Sequence, residues 1–181
     1  MKFSYKGEWP PVDGLMTDLE CVQNQLTEVP PYPKLLRLYC SGNRLTGLPM
    51  FPKLIKFSCE ENQLTRLPDY PRLIKLECGQ NQLTRLPECP RLRRLSCWEN
   101  QLTSLMTLDP ETPRDQHPEL IELACWGNQL TELPLYPRLA KIDLTGTPLG
   151  DQMTDPRDVQ EYHSLYRLPH GRQTKAAGLS S

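Results

Sequence analysis

The chain has 181 residues, enough for one domain with a substantial core, and a formal net charge of −1. It holds 31 Leu and 19 Pro against 4 each of Ile, Val and Ala. Proline without a Gly-X-Y period excludes collagen, so much leucine argues against disorder, and the scarcity of Ala excludes a helical bundle. Scarce Val and Ile also argue against a conventional sandwich or parallel sheet. The near-zero charge supplies no global field to recruit nucleic acid or an anionic membrane. No apolar run approaches the roughly 20 residues of a membrane span.

Residues 1–15 begin MKFSYKGEWPP, without the apolar core of a secretory leader, and are expected to cap the first repeat. From residue 16 to 150 the chain repeats. NQLTEVP, NRLTGLP, NQLTRLP and NQLTRLP begin at Asn24, Asn43, Asn62 and Asn81, each 19 residues after the last. NQLTSL follows at Asn100, again after 19, and NQLTELP at Asn128 after 28. Cys21, Cys40, Cys59, Cys78, Cys97 and Cys125 keep the same beat. The unit is L-x-x-L-x-C-x-x-N-x-L-T-x-L-P-x-x-P-x, in six full copies and a seventh partial one carrying Leu139, Ile142, Leu144, Thr147 and Leu149.

One such unit cannot bury its leucines alone, whereas stacked copies share one continuous core, so the pattern predicts a solenoid. This unit resembles the leucine-rich repeat, with Cys in the third Leu position, over roughly residues 12–150. Its short LT-x-LP-x-x-P form is similar to repeats of bacterial secreted effectors and of proteins encoded by large DNA viruses. The resemblance implies a mostly β repeat solenoid of the α/β type. A short strand around each x-L-x would stack into a parallel concave sheet, and the Asn side chains would form a buried ladder on neighbouring backbone groups. Some effectors of this type carry a ubiquitin-ligase domain; residues after 150 contain no Cys, so that activity is not implied here.

Each full repeat places Pro at two fixed points, as at Pro49 and Pro52 or Pro68 and Pro71. Proline fixes φ near about −65° and lacks a donor, so the return arms should run extended or polyproline-like, leaving a thin convex side. The period breaks at residues 106–119, an acidic insertion with three prolines that should leave the return-arm side as a loop. Residues 151–168 are expected to form a C-terminal capping helix. Asp155 suits its cap, Pro156 its first position, and Val159, Tyr162, Leu165 and Tyr166 one face. Residues 169–181 are a polar tail.

Strand alternation defines the exposed columns. The third repeat position reads Asp18, Arg37, Lys56, Lys75, Arg94, Glu122 and Lys141, placing four adjacent cations in a ladder. The fifth reads Glu20, Tyr39, Ser58, Glu77, Ser96, Ala124 and Asp143. Like charges opposed across strands are unfavourable, and Glu60 and Glu77 stand nearby to offset them. The charge is uneven along the chain, with residues 34–94 carrying a net +7. The seventh position holds Trp98 and Trp126 in consecutive repeats and small or polar residues elsewhere, so the two indoles should lie side by side at the concave edge. Tryptophan leads among interface anchors. A further column, Tyr32, Phe51, Tyr70, Cys89, His117 and Tyr136, precedes the second Pro of each repeat and should seal the convex side.

Cysteines 19 residues apart point into the core one per rung, so they neither converge on zinc as CxxC pairs do nor orient for disulfides. As buried thiols they act as small hydrophobes, and their odd number fits a reduced, intracellular setting, virion or host cytoplasm for a viral protein. Cys89, outside that column, is expected nearer solvent. His117, His163 and His170 form no constellation with Ser or Cys, and no phosphate loop is present. The expectation is therefore non-enzymatic, with no cofactor or metal. A protein partner, with an acidic surface suited to the ladder, would bind the concave face through Trp98, Trp126, Arg37, Tyr39, Lys56, Lys75, Glu77 and Arg94. Neither nucleic acid nor membrane is expected as a partner. The chain would act as a monomer or as a subunit of a larger hetero-assembly. The alternative is a structural part of a large assembly, such as a minor capsid or scaffold protein of a large-DNA-virus virion.

Overall fold

In each repeat three residues around the second Leu form a strand, because their side chains alternate out, in, out against the shared core. The computed structural model describes residues 2–12, 15–105, 119–134 and 136–152. Eight short strands, β1 (Lys2–Ser4), β2 (Asp18–Glu20), β3 (Arg37–Tyr39), β4 (Lys56–Ser58), β5 (Lys75–Glu77), β6 (Arg94–Ser96), β7 (Glu122–Ala124) and β8 (Lys141–Asp143), pair in parallel and in chain order. The register never slips. Arg37, Lys56, Lys75, Arg94, Glu122 and Lys141 stand opposite one another, and the insertion between β6 and β7 leaves Arg94 facing Glu122. The chain is a leucine-rich-repeat solenoid, mostly β. Between the strands its described residues run without helix.

The core is one column of stacked rungs. In one of them Leu54, Phe57, Cys59, Leu64, Leu67 and Tyr70 are all buried. Burying a Leu or Phe side chain contributes about 1.5–3 kcal/mol, and no single rung can supply both walls of its own pocket. The convex column is buried as expected at Tyr32, Phe51, Tyr70 and Tyr136, while His117 lies outside the described residues. Cys89 departs from expectation. It is fully buried, because it takes the place in the rung that Tyr32, Phe51, Tyr70 and Tyr136 occupy, all of them buried. Burial pushes its thiol up to about 12.

A turn shapes each rung after its strand. Gln23, Gly42, Glu61, Gln80, Glu99, Gly127 and Gly146 share one repeat position and all adopt positive φ, between 45° and 68°. This left-handed step turns the chain off the sheet edge, and the residue that follows enters the interior. In five rungs that residue is a buried Asn. Asn81 shows the pattern: its Oδ1 accepts from Leu64 N–H at 3.0 Å, and its Nδ2 donates to the carbonyls of Cys59, Cys78 and Gly79 at 3.0–3.2 Å. Asn43, Asn62, Asn100 and Asn128 repeat it, tying each rung to the one before.

Both ends of the described solenoid are covered. At the first, β1 adds to the sheet, Tyr5 and Trp9 pack at 4.4 Å between ring centroids, and the Tyr32 hydroxyl donates to Pro10 O at 2.9 Å. At the other, Thr147 takes the Asn position and caps a short helix, α1 (Pro148–Gln152). Its hydroxyl donates to Leu144 O at 2.7 Å and accepts from Gly150 N–H at 2.9 Å, with Pro148 in the first helical position. Apart from Asp151 and Gln152, which close α1, the capping helix expected over 151–168, the tail and the body of the insertion lie outside the described residues.

Candidate interaction face

The concave sheet brings the ladder cations together but does not leave them alone. Arg37 pairs with Asp18, Lys75 with Glu77 of its own strand at 2.7 Å, and Arg94 with Glu122 at 3.3 Å. Glu122 also meets Lys141 at 3.5 Å. Lys56 has no ion-pair partner among the described residues. Partial burial works against ionisation of Asp18, but hydrogen bonds from Arg37 and Thr17 outweigh it and hold its carboxyl below the usual range. Exposed pairs of this kind contribute at most about 1 kcal/mol each, so they balance the repulsion between neighbouring cations and remain exchangeable. Tyr39 lies half-buried on β3, one strand from Lys56.

The two tryptophans stack. Their ring centroids are 4.9 Å apart and their planes 7° from parallel. The stack is seated by a glycine: a Cβ at Gly79 would fall 2.2 Å from Trp98 Cε2, so the indole occupies the room a side chain there would need. Leaning over Gly79, the Trp98 Nε1–H reaches a carboxylate two rungs away and donates to Glu60 Oε1 at 3.2 Å. Burial and the neighbouring Glu77 raise the Glu60 carboxyl, while the indole bond opposes that rise. Glu60 thus serves the tryptophans more directly than it serves the ladder. Lys75, Glu77, Glu60 and the indoles make one neighbourhood; Arg37 and Tyr39 lie on the rung next to that of Glu60, and Tyr39 lines the same depression as Lys75 and Glu77.

Sequence reasoning missed two things here. The seating role of Gly79 is one. The other is the residue just before each strand, where Leu36, Ile55, Ile74 and Ile121 form an apolar column. Its signal was available, since three of the four isoleucines in the chain occupy that single position.

The cysteine column is chemically quiet. Burial raises every thiol in it, to about 12 at Cys21 and Cys125, and among the described residues no group of three or more His, Cys, Asp or Glu converges to hold a metal ion. All three histidines lie outside the described residues.

No protein-family model matches the sequence, and no curated protein is similar to it at a significant level. Solved structures are. YopM, a leucine-rich effector protein from Yersinia pestis, superposes with a TM-score of 0.67 at 28% identity, covering 76% of this chain and 40% of that one. YopM from Yersinia enterocolitica WA-314 gives a TM-score of 0.60 at 32% identity, covering 81% of this chain and 36% of that one. The chain spans about two fifths of the length of these effectors.

Proposed function

Because the chain is a leucine-rich-repeat protein similar to bacterial effectors, we propose that it is a binding module that engages a protein partner through its concave sheet. The Trp98–Trp126 stack carries this reading. Two half-buried indoles side by side at the rim of a solvated sheet form a rigid aromatic plate, the kind of surface on which binding energy concentrates. Their seating on Gly79 and the bond to Glu60 pre-organise the plate, so little side-chain entropy remains to be lost on association. Beside it, Arg37, Lys56, Lys75 and Arg94 in register orient a partner that presents carboxylates, steering encounter more than adding affinity. The proposed role is recognition and not catalysis.

The test is crosslinking mass spectrometry on the native source, followed by capture with the purified chain. Lys56 and Lys75 should crosslink to one partner. Trp98→Ala with Trp126→Ala should weaken its capture by about a hundredfold, two hot-spot truncations of about 1–2 kcal/mol each. Unchanged capture by the double variant would overturn the reading.

A further inference from the structure

The rim opposite the tryptophans carries a column that the ladder and the indoles do not use. The residues entering the strands are Thr17, Leu36, Ile55, Ile74, Arg93, Ile121 and Ala140. Ile74 and Ile121 are 40% and 36% exposed, an unusual place for a β-branched apolar side chain in a chain so poor in them. The backbone explains the outward aim. The N–H groups of Ile74 and Lys75 both donate to Ile55 O, at 2.9 and 3.3 Å, and those of Ile55 and Lys56 both donate to Leu36 O. The chain turns a corner there, and two successive side chains leave the core together, an apolar one beside a cation. Lys56, Ile74, Lys75, Arg93, Arg94 and Ile121 accordingly line one shallow depression, together with Glu77 and Glu122, the ion-pair partners of Lys75 and Arg94.

We propose that this depression takes an amphipathic α-helix of an acidic protein partner, a deepening that rests on the protein-binding reading above. The helix lays its apolar stripe on Ile74 and Ile121, continues toward half-buried Ile55 on the adjoining rung, and turns the carboxylates on its flank to Lys56, Lys75 and Arg94. Spacing selects a helix. Rungs repeat about every 4.8 Å and a helical turn advances about 5.4 Å, so one apolar residue per turn drifts from its rung by only about 2 Å over three rungs. Same-face residues of an extended strand are about 6.7 Å apart and fall about 6 Å out of step over that distance. Charge selects the flank. Lys56 has no partner among the described residues, and the exposed pairs of Lys75 and Arg94 exchange at little cost. Arg93 interrupts the apolar column, but Glu119 at 3.4 Å draws its guanidinium aside and its methylene stem continues the surface.

The experiment is a selection of displayed peptides of about 18 residues on the full chain, with the enriched sequences then measured by fluorescence anisotropy. Enriched peptides should carry apolar residues at helical spacing with Asp or Glu along one flank. Their affinity should fall about tenfold or more with Ile74→Ser plus Ile121→Ser and with Lys56→Glu plus Lys75→Glu, and less than about twofold with Trp98→Ala plus Trp126→Ala. Both isoleucines being well exposed, the variants should keep the parent far-UV spectrum; Ile74→Thr, which retains the β-branch, is the second variant. Extended or basic peptides, no enrichment, or unchanged affinity on the isoleucine variants would overturn the proposal. So would self-association of the chain lost with the same substitutions, which would give the column to a second copy. A native partner that survives the isoleucine variants and fails on the tryptophan variant would leave the binding role standing and remove the helix site.

Discussion

Two adjacent columns of side chains run the length of the solenoid and obey different rules. The sixth repeat position is Cys in every full repeat, always buried, and its backbone N–H donates to the carbonyl of the next rung, as from Cys59 to Glu77 O at 2.8 Å. The seventh, one residue on, reads Val22, Ser41, Glu60, Gly79, Trp98, Trp126 and Thr145. The first column must fit the same narrow interior at each rung, so one small apolar residue satisfies it everywhere. The second faces outward, where each rung is free to differ, and there the chain places a glycine, a carboxylate and two indoles that work only as a set. Uniformity along a repeat marks what the fold requires, and a coordinated departure marks what is specific to this chain.

That contrast can be broken most forcefully with pH. The folded thiols titrate far above their ordinary value of 9.0, at about 12 for Cys21, Cys89 and Cys125. Stability should therefore be full below pH 9 and fall as pH rises toward 12, because the unfolded chain releases protons that the folded one retains. Each such thiol costs about 1.4 kcal/mol per pH unit in that window, and several acting together should unfold the chain near pH 10 to 11. Circular dichroism against pH checks this; a fold unchanged at pH 11 would refute it. At pH 8 the folded chain should resist iodoacetamide.

Next in size is the asparagine column. Asn81→Ala leaves the Leu64 N–H and three carbonyls without their partner and should cost about 3–5 kcal/mol in urea unfolding. Asn24→Ala, at an exposed side chain whose one bond among the described residues is to Val22 O, should cost less than about 1 kcal/mol. Equal costs at the two sites would mean that the ladder is not what binds the rungs. Gly79→Ala probes the outward column: its methyl displaces the Trp98 ring, costing about 1–3 kcal/mol and erasing the exciton signature of stacked indoles in the circular dichroism spectrum. Smallest is Gln80→Gly, which relieves a positive φ of 52° and should stabilise the chain by about 0.5 kcal/mol, the gain limited by glycine's freedom when unfolded.

Much of the architecture was legible from the spacing. A constant period of 19 puts Arg37, Lys56, Lys75 and Arg94 in register, and it puts Trp98 beside Trp126 even across the longer interval of 28. The N-terminal strand was not read, since the period did not reach it and residues 1–15 were expected only to cap the first repeat, although Lys2–Phe3–Ser4 is the same tripeptide as Lys56–Phe57–Ser58. Other features were hidden for physical reasons. The left-handed turn escaped notice because Gln23, Glu61, Gln80 and Glu99 occupy it as well as glycine. Cys89 was misread because it was judged by its absence from the cysteine column and not by the aromatic column it joins, whose members Tyr32, Phe51, Tyr70 and Tyr136 are just as buried.

The sequence by itself determined which residues share a column, since that is a count of covalent steps around a closed rung. Only the tertiary structure decided which columns meet water and how far a side chain leans from its own rung into another. The corner that turns Ile74 and Ile121 outward depends on hydrogen bonds between rungs, and the reach of Trp98 to Glu60 depends on the empty volume over Gly79. Both are set by what neighbours leave unfilled in space, which no periodicity records.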